Sequence, residues 1–69
     1  MRIKHGILKE LSEKTGKSIT LLSDYASGRK RAGRQMARTL AINSGVPESI
    51  WQYSSSEEIK AALNKSMSN

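Results

Sequence analysis

Cysteine is missing from this 69-residue chain. That excludes disulfide staples, thiolate metal sites and thiol nucleophiles together, and it fits a reducing compartment. Phenylalanine is missing too, leaving Tyr25, Trp51 and Tyr53 as the whole aromatic complement. Modules that hold unpaired RNA or DNA need exposed aromatics for stacking, whereas helical spacing assigns these three largely to packing. One histidine, His5, has no second histidine and no cysteine to share a metal with, so neither a metal nor another cofactor is expected. Without a pair of carboxylates placed in a plausible cleft, an enzyme is not expected either. No apolar run approaches the roughly 20 residues that span a bilayer. No signal-peptide pattern precedes the first charged residues. The expected setting is the cytoplasm, off the membrane.

Acidic residues are the other scarcity, six against twelve Lys and Arg, for a net charge of +6. Their placement is uneven. Residues 1–38 set ten basic side chains against Glu10, Glu13 and Asp24, a net of +7. Residues 39–69 set Lys60 and Lys65 against Glu48, Glu57 and Glu58, a net of −1. A plain solubilising surface would not need that segregation, and a face turned towards a polyanion would.

What remains reads as one all-α domain over residues 1–69, a bundle of four to five short helices. Ile7, Leu8 and Leu11 line one face of a helix from about Gly6 to Lys14, which Gly16 ends. Ser18 is placed to cap a second helix of about ten residues, to about Ser27, carrying Ile19, Leu22, Tyr25 and Ala26. Gly28 stops it, and a basic loop, Arg29-Lys30-Arg31-Ala32-Gly33, follows. A third helix from about Arg34 to Asn43 shows Met36, Ala37, Leu40 and Ala41 on one face, closed by Ser44-Gly45. Pro47 suits the first turn of a short helix holding Ile50 and Trp51. Ser54-Ser55-Ser56-Glu57-Glu58 starts a last helix, about 56–65, with Ile59, Ala62 and Leu63 as its apolar stripe. That stripe could serve this domain or a second copy, and residues 66–69 are expected to fray. A core this small supplies about 3–5 kcal/mol, so a partner matters to its stability.

Two helices joined across Thr15-Gly16-Lys17 would make a helix-turn-helix, spanning about 7–27, an arrangement in which the second helix is expected to enter the major groove. Leu8 and Leu11 would hold that second helix, Leu22 and Tyr25 would anchor it, and Ser18, Thr20, Ser23, Asp24 and Ser27 would face outward with Lys17 beside them. The run from Leu11 through Gly16, Ser18, Leu22 and Tyr25 to Ser27-Gly28-Arg29-Lys30-Arg31 resembles the phage lambda repressor/Cro-type (XRE-like) family. So do the helix ending in Ser44-Gly45-Val46-Pro47 and the pair Trp51 and Tyr53. The resemblance covers roughly residues 6–53. Ser12 and Lys17 stand where that family commonly has an alanine and an apolar residue. The family also has a fuller helix before the motif, where this chain offers Met1–His5, so the C-terminal helix is expected to supply the missing packing.

By position, the resemblance implies base reading by Ile19, Thr20, Leu21, Ser23 and Asp24, with Lys30 just beyond the helix. Hydroxyls discriminate weakly, Ile19 and Leu21 suit a thymine methyl, and Asp24 suits a cytosine amino group. Equally, Ile19 and Leu21 could be core and Asp24 a surface charge. Phosphates are expected to fall to Lys17, Ser18, Ser27, Arg29, Arg31, Arg34 and Arg38, the last two one turn apart. The resemblance implies a sequence-specific, double-stranded DNA-binding transcriptional regulator, a repressor of phage type, acting as a homodimer through the C-terminal helix on half-sites about one turn apart. An antitoxin would add a toxin-binding tail, and only a short polar one is present. A basic RNA- or single-strand-binding module is the reading of a different class.

Overall fold

The described residues, 2–67 of a computed structural model, fold into five helices with no strand among them. They are α1 (Ile7–Thr15), α2 (Ile19–Ser27), α3 (Arg34–Ser44), α4 (Glu48–Tyr53) and α5 (Ser56–Met67). The all-α bundle expected from periodicity is the observed architecture.

Each boundary has a local cause. Gly16 turns the chain out of α1 at φ 74°, a left-handed conformation that a side chain would strain, and its amide donates to the Ser12 carbonyl. Ser18 caps α2, its hydroxyl oxygen accepting the Leu21 amide at 3.1 Å. Pro47 sits one residue earlier than expected, at the N-cap of α4 rather than in its first turn. At the start of α5 the Ser55 hydroxyl accepts the Glu58 amide while the Glu58 carboxylate accepts the Ser55 amide, a reciprocal capping box.

The ends of α1 and α3 run one residue beyond the expected stops, at Thr15 and Ser44. Ser44 is therefore helical and buried, its hydroxyl donating back to the Leu40 carbonyl and accepting the Val46 amide. Fraying from residue 66 does not occur over 66–67: α5 continues to Met67, and the Ser66 hydroxyl donates to the Ser44 carbonyl. Positions 68–69 lie outside the described residues.

The core takes at least one residue from every helix: Leu11, Leu22, Ala26, Ala37, Leu40, Trp51, Ile59 and Leu63, with Val46 from the α3–α4 turn. Helix α5 lies against α2 and also touches α1, α3 and α4. Of its stripe, Ile59 and Leu63 are buried inside the chain, while Ala62 is half-buried against the core. The C-terminal helix thus closes the core against the other four helices. It also fixes the N-terminal segment, because the Asn64 amide donates to the Arg2 carbonyl at 2.9 Å and accepts from the Lys4 amide at 2.7 Å. The Cα radius of gyration is 10.2 Å, against about 11 Å for a folded chain of this length, so the short helices close tightly.

Candidate nucleic-acid interface

The turn between α1 and α2 is held by side chains as well as by Gly16. The Ser12 hydroxyl donates across it to the Lys17 carbonyl at 2.5 Å. The Thr15 hydroxyl donates to the Leu11 carbonyl and accepts the Lys17 amide. Ser12 and Lys17 are therefore joined to each other across the turn. These bonds set the angle between the helices, while Leu22 and Ala26 bury the underside of α2 completely.

That leaves a defined outer face. Ser18, Ile19 and Thr20 are exposed at its start, Ile19 at 47%. The core alternative for Ile19 is thus excluded: an exposed isoleucine at the leading end of the helix is available for contact. Leu21, Ser23, Asp24 and Ser27 are half-buried along the flanks. Tyr25 packs against the core, as expected of an anchor. The cap at Ser18 uses only a lone pair on oxygen, so its O–H can still donate to a phosphate.

Three expected contacts are already engaged. The Arg29 Nε donates to the Asp24 carboxylate at 3.0 Å, so these two candidates form an ion pair at the far end of α2. The Arg31 Nη1 donates to the Ser54 carbonyl at 2.9 Å, linking the basic loop to the α4–α5 junction. The Ser27 hydroxyl donates to the Asp24 carbonyl. Lys30, Arg34 and Arg38 stand exposed with no ion-pair partner among the described residues, and Lys17 is half-buried.

Two lysines were missed as candidate contacts in the sequence. Lys4, His5 and Lys9 border an open groove of about 400 Å³ whose apolar lining includes Ile3, Leu8 and Ile19. The groove opens at the leading end of α2, opposite the end where Arg29 and Lys30 leave it. Basic residue types alone could not place them there. The placement follows from Asn64, sixty residues away from Lys4, which holds the N-terminal segment. The remaining aromatic differs from expectation: Trp51 is buried, but Tyr53 is 80% exposed at the end of α4. Helical spacing misassigned it because the six-residue α4 is too short to bury two faces.

No group of three or more His, Cys, Asp or Glu side chains that could hold a metal occurs among the described residues. No described helix is long and apolar enough to cross a membrane. Comparison with protein-family models, with curated proteins and with solved structures found no match.

Proposed function

We propose that the chain is a sequence-specific double-stranded DNA-binding transcriptional regulator, a repressor, with α2 as its major-groove helix. The observation that carries this reading is the setting of α2. It is a capped helix with a buried underside, exposed Ile19 and Thr20 at its leading end and half-buried Ser23 on its flank, with Lys4 and Lys9 near one end and Lys30 at the other. Phosphate contacts position such a helix and base edges are read by its outer side chains. On this reading Lys4, His5 and Lys9 meet phosphates on one side of the groove, and Lys30, Arg34 and Arg38 meet them on the other. A second copy of the chain, the partner expected for paired half-sites, would use a surface other than the Ile59/Leu63 stripe, which is internal.

The test is a titration against random duplex, a selected duplex pool and single-stranded RNA at two salt concentrations. The expected result is a preferred duplex sequence, with log K falling against log salt at a slope of roughly −5 for about six neutralised phosphates. Tighter binding to single strands, with no preferred duplex, would remove the reading.

One observation favours the single-strand alternative: Tyr53 is outward and free to stack, beside the Ser54 carbonyl that holds Arg31. Tyr53→Ala separates the two. It should leave duplex affinity within about twofold, whereas loss of a stacked base costs about 1–3 kcal/mol.

A further inference from the structure

We propose that Arg29 reads a guanine, with Asp24 as the residue that positions it. This rests on the duplex-binding reading above and departs from the phosphate role that the sequence suggests for Arg29.

Asp24 gathers the end of α2. Its carbonyl accepts the Lys30 amide at 3.1 Å and the Ser27 hydroxyl at 3.2 Å, so the loop after Gly28 hooks back over the helix. Its carboxylate accepts Arg29 Nε at 3.0 Å, with the Asp24 side chain 24% exposed and that of Arg29 70% exposed. The guanidinium is thereby drawn from the loop to the level of Asp24, three residues back from the helix end at Ser27, a retreat of about 4.5 Å along the axis. It ends beside the outer face of α2 rather than beyond it.

The atom used matters. A bond through Nε leaves both Nη groups as an end-on fork, the geometry that pairs with guanine O6 and N7. Holding the fork before the base arrives also removes rotamer freedom that binding would otherwise cost. Charge argues the same way. Asp24 is the only acidic residue between Glu13 and Glu48, among the cations that the duplex reading assigns to phosphates. A face that met phosphates alone would be weakened by it, since it cancels one cation. A carboxylate that orients a guanidinium trades that attraction for discrimination.

The experiment compares the wild type with R29K, R29A and D24N on random duplex and on the selected site with each position varied, and takes a salt slope for each. The wild type should prefer guanine at one position by about tenfold to a hundredfold. R29K keeps a cation that can still donate to guanine O6 and N7 but loses the planar fork and its bond to Asp24, so the preference should shrink severalfold. R29A should lose it. D24N should bind random duplex more tightly, having lost a negative charge, while its guanine preference falls severalfold. The D24N substitution leaves the backbone carbonyl in place, so helix content and thermal melting serve as the control on folding. The proposal is overturned if R29A weakens every duplex alike, lowers the salt slope by about one and keeps the guanine preference. A wild type with no duplex preference at all overturns the underlying reading too, and so is told apart from a failure of Arg29 alone.

Discussion

Thr20 carries a hydroxyl, which donates and accepts at several base edges, and a methyl group that suits thymine. On the duplex reading, its exposure at the start of α2 would put both within reach of a base pair. Arg38, exposed on α3 without an ion-pair partner among the described residues, has only charge and reach to offer. Thr20→Ala should therefore change which sequence is selected. Arg38→Ala should weaken all duplexes alike and lower the salt slope by about one, as read from binding isotherms at several salt concentrations. Identical behaviour of the two variants would contradict this division of roles. Arg31 is a poorer probe than the sequence suggests, since Arg31→Ala also removes the bond to the Ser54 carbonyl. Residue type told which side chains are cationic, but not which were already occupied. Arg29, Lys30 and Arg31 form one basic run in the sequence, yet Arg29 meets Asp24, Arg31 meets the Ser54 carbonyl and Lys30 has no ion-pair partner among the described residues.

At the scale of elements the sequence was most informative, because helix ends depend on nearest neighbours. Ser18, Gly16, Gly28 and Gly45 act within a few residues of where they stand. What local reasoning missed are the side-chain bonds that set angles between elements. Ser12→Ala should cost about 1 kcal/mol in urea unfolding, as the part-buried Lys17 carbonyl loses its donor across the turn. The same variant should bind its duplex more weakly when fully folded, because α2 is then less firmly oriented on α1. Gly45 couples two elements in another way. It sits at φ 79°, and a Cβ there would lie 2.5 Å from the Ser66 hydroxyl oxygen. Gly45→Ala should therefore cost more than the roughly 1–2 kcal/mol of left-handed strain alone, measured as a lowered melting temperature. Its second effect, release of the Ser66–Ser44 bond, should appear as faster amide exchange at the end of α5.

Across the whole molecule the charge map and the core divide the chain differently. The basic excess belongs to residues 1–38, yet α2 packs on α5, in the near-neutral half, as well as on α1. The sequence left the partner of the Ile59/Leu63 stripe open, because an apolar stripe looks the same whether it meets its own chain or another. Burial of Leu63 at 0% exposure settles which. Leu63→Ala should cost about 2–5 kcal/mol, comparable to all that a core of this size supplies. The variant should then be largely unfolded at 25 °C by far-ultraviolet circular dichroism. Stability and function are linked at this point, since a ligand that binds only the folded state adds RT ln(1 + [L]/Kd). The selected duplex at about one hundred times its Kd should restore about 2.7 kcal/mol, and helix content with it. Arg38→Ala placed in the Leu63→Ala background should need more duplex for the same recovery, as its Kd is weaker. If duplex DNA leaves Leu63→Ala unfolded while the wild type binds the same duplex, α5 would be holding more than the DNA-binding face. If single-stranded RNA restores folding and duplex does not, α2 is not a major-groove helix.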